Sequence, residues 1–67
     1  EIGRVISTFL RKQPKEKRII FMHRYYYCDT VLSIAKRFGH SESKVKIMLY
    51  RMRKDLRVYL TKEGYFL

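Results

Sequence analysis

The chain has 67 residues and carries 16 Lys and Arg against 6 Asp and Glu, a net charge of +10. This length accommodates one small domain with a marginal core, and a content of 46% hydrophobic and 15% aromatic residues excludes a disordered tail. The charge favours a polyanionic partner such as nucleic acid. Basic residues are spread along the whole chain, so charge alone does not locate a binding site.

Cys28 is the only cysteine, so no internal disulfide forms and the chain suits a reducing cytosol. No apolar run approaches the ~18 residues of a membrane-spanning helix, and no signal peptide is visible. His23 and His40 lie too far apart in sequence for a zinc site, and Cys28 lacks oxyanion donors and an orienting acid. We therefore expect no enzymatic activity, metal, cofactor or small-molecule substrate. Because the first residue is Glu1 rather than Met, we expect an excised or processed part of a longer protein.

Helix one is predicted over about residues 2–12. Its apolar residues recur at the spacing of one helical face, which we expect to pack in the core: Ile2, Val5, Ile6, Phe9 and Leu10. Gln13 precedes Pro14 and ends the helix, because the residue before a proline disfavours helical backbone angles. Pro14 then suits the first turn of helix two, which runs to about Tyr26.

Helix two is apolar on two sides, which predicts a central place in a small bundle. Its two apolar lines are formed by Ile19, Met22 and Tyr26 and by Phe21 and Tyr25. Three successive tyrosines cannot all be buried, since together they span most of the helix circumference. We expect Tyr25 and Tyr26 to pack in the core and Tyr27 to be exposed; stacking of the rings on bases is the alternative.

Residues 30–60 have the features of a helix-turn-helix, in which a short turn containing Gly joins two helices. Asp29 and Thr30 are predicted N-caps of helix three (about 30–38), and Gly39 is predicted to end it. Ser41 is the predicted N-cap of helix four. Glu42 in the first turn of helix four complements the helix dipole. The residues of helix three expected in the core are Val31, Ile34, Ala35 and Phe38. In such motifs the second helix enters the major groove of DNA, and its N-terminal residues contact base edges.

Helix four is long, and its two faces differ in composition. At ~100° per residue, the buried stripe comprises Val45, Met48, Leu49, Met52, Leu56, Tyr59 and Leu60. The opposite face carries Ser43, Lys46, Ile47, Tyr50 and Lys54, with Arg51 and Arg57 on its flanks. The chain ends in Tyr65-Phe66-Leu67, which either folds back onto the core or marks where the chain was cut.

The outward face of helix four is the predicted DNA-reading surface. Ser43 and Lys46 can hydrogen-bond bases or phosphates. The outward groups of Ile47 and Tyr50 can meet a thymine methyl group; alternatively, both pack against a neighbouring helix or a partner protein. The residues better placed for phosphates, which anchor a protein without reading sequence, are Arg51, Lys54 and Arg57.

Five segments of the chain together resemble region four of bacterial RNA polymerase sigma factors, most closely the small, extracytoplasmic-function-like branch. They are Gln13–Pro14, Arg24–Tyr26, Ile34–Gly39, Ser41–Lys46 and Arg51–Arg57, in the order and spacing of the family. The resemblance covers about residues 13–60. Many family members have Gly where this chain has Cys28, a leucine-like residue at Asp29 and an aliphatic residue at His40. Many small members have Arg at Met48.

The resemblance implies that helix four binds the upstream promoter hexamer in the major groove. It also implies docking on the flap of the polymerase beta subunit and masking by an anti-sigma factor, in the cytoplasm and on the nucleoid. Carried over by position, the base contacts fall on Glu42, Ser43, Lys46 and Ile47. The phosphate contacts fall on Thr30, Lys44 and Arg51.

We therefore predict one all-α domain over residues 1–67, a small bundle of four helices with a C-terminal helix-turn-helix. It is expected to bind promoter DNA within a sigma factor or a sigma-like regulator. One alternative is the DNA-binding output domain of a LuxR-type response regulator, which shares the Ile-Ala, Gly, Ser and Val-Lys spacing and dimerises on inverted repeats. A second alternative is a protein-interaction module whose basic, aromatic surface binds polymerase or an anti-sigma factor. General binding to RNA or to a membrane surface is less favoured.

Overall fold

Residues 1–65, the part of the chain that the computed structural model describes, form four helices. They are α1 (Ile2–Arg11), α2 (Lys15–Tyr25), α3 (Val31–Phe38) and α4 (Glu42–Lys62). The prediction of an all-α bundle of four helices is confirmed. The bundle is organised around α4, because this helix contacts each of the other three. No helix in the described range is long and apolar enough to cross a membrane.

Helix α1 contributes only part of its apolar stripe to the core. Phe9 is buried at 4% exposure, whereas Ile2 is 40% exposed. The core cluster reaches no further towards the N-terminus than Ile6, so the expectation that the first turn is buried was wrong. Pro14 has extended backbone angles and stands before α2 as its N-cap, one position earlier than its predicted place in the first turn.

Helix α2 buries the side that carries Ile20 and Phe21, and Ile20 is completely enclosed. The predicted core positions Tyr25 and Tyr26 are instead 45% and 71% exposed. This prediction was wrong because α2 ends at Tyr25 and its last turn extends beyond the buried layer. There a tyrosine can pack its ring on a neighbour and keep its hydroxyl in water. Tyr27 is exposed, as predicted.

The loop between α2 and α3 is held by polar contacts to Asp29. His23 Nδ1 lies 2.7 Å from Asp29 Oδ2, and the Asp29 N–H donates to the His23 carbonyl at 2.9 Å. Arg24 donates to the Asp29 carbonyl at 3.0 Å. The Asp29 side chain therefore does not cap α3, and Thr30 is the N-cap. Within this loop Cys28 has a φ of +60°, in the left-handed region that favours glycine.

The N-terminus of α3 and the turn between α3 and α4 have the caps that the sequence predicts. Thr30 Oγ1 accepts the Ser33 N–H at 3.1 Å, and Ser41 Oγ accepts the Lys44 N–H at 3.1 Å. Gly39 is left-handed, with φ of 70° and ψ of 32°. Each cap satisfies a backbone N–H that has no partner inside its own helix. The start of α4, and with it the position of its first outward side chains, is therefore set by local chemistry.

Helix α4 has 21 residues and is about 30 Å long at 1.5 Å per residue. Its buried residues are Val45, Leu49, Met52 and Leu60, and Met48, Leu56 and Tyr59 are partly buried against the same core. The predicted stripe is confirmed. Tyr65 is half-buried and its N–H bonds the Leu60 carbonyl at 2.8 Å. Phe66 and Leu67 lie outside the described residues, so the expectation for the chain end stays a prediction.

Candidate nucleic-acid interface

The outward face of α4 is open along its length. The residues assigned to it from the sequence are all exposed: Ser43, Lys46, Ile47, Tyr50 and Lys54. Ile47 is 49% and Tyr50 is 58% exposed, so neither packs into the core formed by residues 1–65. Ile47 and Tyr50 lie within one turn of each other, so they form a small apolar patch on an otherwise polar face.

Helical geometry gathers the residues predicted to contact bases near the start of α4. Side chains three or four positions apart share one side of a helix, so Ser43, Ile47 and Tyr50 form one row with Lys46 beside it. Glu42 is exposed in the first turn. The row begins directly after the Gly39 turn, at the end of the helix that contacts bases in a helix-turn-helix.

The residues of α4 assigned to phosphates divide between one flank of this face and the face itself. At ~100° per residue, Lys44 and Arg51 lie on one flank, whereas Lys54 and Arg57 lie within the outward face. All four are exposed. Thr30 is also exposed, but its Oγ1 accepts the capping hydrogen bond of α3. Its hydroxyl proton remains available to donate to an anion.

A concave patch beside the outward face was not predicted from the sequence. Tyr50, Arg53, Lys54 and Arg57 surround a concavity of about 310 Å³, which we call the basic concavity. From α2, the Tyr25 hydroxyl accepts a hydrogen bond from Arg53 Nη1 at 2.5 Å. The sequence did not predict a binding role for Arg53, because this residue lies between the buried stripe and the outward face of α4. No pattern in the sequence links it to a tyrosine 28 positions earlier.

The positive charge of α4 is not neutralised by ion pairs within the described residues. The two ion contacts found there both involve a histidine: His23 with Asp29, and His40 with Glu16. The second contact, at 3.2 Å, links the turn before α4 to α2 but lacks the alignment of a hydrogen bond. A surface of uncompensated cations attracts polyanions and is destabilised by its own repulsion.

A second concavity, of about 440 Å³, lies between α1 and α2. Leu10, Ile19, Met22 and Tyr27 give it a largely apolar lining. It shares no lining residue with the basic concavity. The basic surface along α4 and the apolar concavity between the first two helices are therefore separate features of the bundle.

Within residues 1–65 no three His, Cys, Asp or Glu side chains come together to hold a metal ion. Comparison of the chain with protein-family models, with curated proteins and with solved structures found no match. Function is therefore inferred from the chemistry of the two surfaces described above.

Proposed function

We propose that this domain binds double-stranded promoter DNA sequence-specifically through α4, as the C-terminal domain of a bacterial sigma factor or a sigma-like regulator. The observation that carries the proposal is the outward face of α4, where exposed Ile47 and Tyr50 accompany Ser43 and Lys46 directly after the Gly39 turn. A solvated helix face does not require exposed apolar groups at these positions, whereas the major groove offers them thymine methyl groups. The net charge of +10 suits the phosphate backbone.

The proposed base contacts follow from donor and acceptor chemistry. Lys46 can donate to the guanine acceptors, Glu42 can accept from the cytosine amino group, and Ser43 can do either. Ile47 and Tyr50 provide apolar contact. The proposed phosphate contacts, which anchor the domain without reading sequence, are Thr30, Lys44, Arg51, Lys54 and Arg57.

The proposal includes docking on the flap of the RNA polymerase beta subunit, in the cytoplasm and on the nucleoid. The apolar concavity between α1 and α2 supports such docking, because it shares no residue with the outward face of α4. DNA and polymerase can then be bound at the same time. An anti-sigma factor that covers either surface would prevent one of the two contacts.

The first test is selection of bound duplexes from a random pool at low salt. Enrichment of one asymmetric box supports a monomeric promoter reader. Enrichment of an inverted repeat supports the LuxR-type alternative, in which two copies bind symmetrically related half-sites. Binding without any enrichment contradicts sequence-specific recognition, because phosphate contacts alone produce that result.

The second test asks which residues read the box. Lys46→Ala should weaken binding to the selected box by about 1–3 kcal/mol and Ser43→Ala by about 0.5–1.5 kcal/mol. Both should change binding to a scrambled duplex much less. Lys62→Ala, at the far end of α4, is the charge-matched control for Lys46→Ala. Equal losses on the box and on the scrambled duplex would show that neither residue reads bases.

A second candidate function is protein interaction without DNA, favoured by the exposed rings of Tyr26 and Tyr27. They pack edge to face with centroids 5.1 Å apart, and Tyr27 also lines the apolar concavity between α1 and α2. Tyr27→Ala and Met22→Ala should then abolish binding to purified polymerase. This function replaces the first if those variants lose polymerase while the duplex selection enriches nothing.

A further inference from the structure

We infer that the basic concavity of Tyr50, Arg53, Lys54 and Arg57 binds a phosphodiester of the DNA backbone, with Tyr25 as the residue that positions Arg53. The inference rests on the proposed DNA binding and deepens it. It assigns a site lined by α4, in which α2 positions one side chain, and it gives roles to Tyr25 and Arg53, which sequence reasoning did not select.

Arg53 is held in place from the neighbouring helix. Phe21 is buried at 8% exposure, and its ring centroid lies 4.7 Å from that of Tyr25, with the rings tilted by 50°. The Tyr25 ring is therefore anchored on the core, and its hydroxyl accepts from Arg53 Nη1 at 2.5 Å. An arginine has five N–H donors in a planar fork, so the others stay available to an anion. A fork that is oriented before binding loses less side-chain entropy when it meets two phosphate oxygens.

The charges of the concavity suit an anion. Arg53, Lys54 and Arg57 line one space, and none of them has an ion-pair partner within residues 1–65. The acidic residue nearest in sequence, Asp55, lies about 200° around α4 from Arg53 at ~100° per residue, which places it on the other side of the helix. The Tyr50 side chain also lines this space, and its hydroxyl can supply a further donor. Three cations and one hydroxyl around a small concavity match the oxygens of a phosphate.

The position of the concavity favours the DNA backbone as the source of that phosphate. Tyr50 and Lys54 belong both to the concavity and to the outward face, so the site continues the proposed reading surface. A helix in the major groove has a sugar–phosphate strand on each side of it. Lys44 and Arg51 lie on one flank of α4, and Arg53 lies on the opposite flank, towards α2. The two flanks can therefore contact the two strands.

The test measures binding of the full chain to one duplex over a range of salt concentrations. Arg53→Ala should lower the slope of log K against log salt by about one unit, the value for one lost phosphate contact. Tyr25→Phe keeps the charge and should weaken binding by about threefold to tenfold. Arg53→Lys should retain the slope but not the full affinity, because it lacks the fork. Lys62→Ala is the control for net charge, and thermal melting confirms that each variant is folded.

A series of duplexes in which one phosphate at a time is replaced by a neutral methylphosphonate locates the contact. At one position, the neutral phosphate should remove the effects of both Arg53→Ala and Tyr25→Phe, which is the non-additivity of direct partners. The inference is overturned if Arg53→Ala matches Lys62→Ala at every salt concentration, or if no phosphate couples to it. If the random pool yields no box while the coupling persists, base reading fails and the phosphate site stands.

Discussion

Truncation of two nearby apolar residues of α4 should have different effects. Leu49→Ala should lower the stability of the fold, whereas Ile47→Ala should lower the affinity for DNA. Leu49 is 2% exposed in the core, whereas Ile47 is 49% exposed on the outward face. Ile47→Ala and Leu49→Ala remove apolar atoms two positions apart on the same helix, and differences in helix propensity between these residues are small. Any large difference between the variants therefore reports which side of α4 is buried.

The expected losses of stability differ several-fold. Leu49→Ala should lower the free energy of unfolding by ~2–5 kcal/mol, because a cavity replaces buried methyl groups. A domain of 67 residues has a total stability of roughly 3–10 kcal/mol, so this variant should melt at least about 10 °C lower. Ile47→Ala should change stability by no more than about 0.5 kcal/mol, since the site is half-exposed and alanine favours helices.

Ile47→Ala, which should keep its stability, should nevertheless bind DNA more weakly. Burial of a methyl or methylene group is worth about 0.8 kcal/mol, so loss of one or two such contacts by Ile47→Ala should weaken binding to the selected box about fourfold to fifteenfold. Circular dichroism melts and fluorescence anisotropy on box and scrambled duplexes measure the two effects. A stability loss in Ile47→Ala as large as in Leu49→Ala would refute the assignment of faces. A stable Ile47→Ala with unchanged affinity would refute the base contact.

Three further predictions concern a phosphate contact, a helix cap and the loop before α3. Arg51→Ala should weaken binding to all duplexes alike and reduce the salt slope by about one unit; an unchanged slope would count against its phosphate role. Ser41→Ala removes the hydrogen bond to the Lys44 N–H and should destabilise the fold by about 0.5–2 kcal/mol in thermal melts, while Ser43→Ala, which caps nothing, should not. Cys28→Gly should melt at the same or a higher temperature than the native chain, because the left-handed conformation at φ +60° disfavours side chains by about 1–2 kcal/mol. The greater entropy of glycine in the unfolded chain offsets part of this gain in stability. Cys28→Val should melt lower, since β-branched residues avoid positive φ, and equal melting temperatures of the two variants would show that no strain is present.

The parts of the fold that could be predicted are those set by neighbours within one turn of the chain. Thr30, Gly39 and Ser41 act on backbone groups no more than four residues away, so the ends of α3 and the start of α4 follow from short-range chemistry. The apolar stripe of α4 repeats over several turns, which makes its period unambiguous. The same periodicity assigns both faces of that helix, and hence the proposed base-reading residues except Glu42, which only the family resemblance selects.

The features of the fold that could not be predicted depend on which residues of a neighbouring helix pack against a side chain. Ile19, Ile20 and Phe21 are consecutive apolar residues, so periodicity alone does not identify Ile20 as the enclosed one. Tyr25 is apolar enough for the core, yet it lies in the last turn of α2 and is 45% exposed. Its hydroxyl is thereby free to meet Arg53.

By itself, the sequence determined the four helices, the N-caps Thr30 and Ser41, the left-handed turn and the division of α4 into a buried and an outward face. These features depend on backbone hydrogen bonds and on helical periodicity, both of which act over a few residues. Only the tertiary structure decided which tyrosines remain exposed, how His23 and Asp29 hold the loop around Cys28, and that Tyr25 orients Arg53. Contacts between helices depend on the distance and orientation of elements that are remote in the chain, and no local pattern encodes these two quantities.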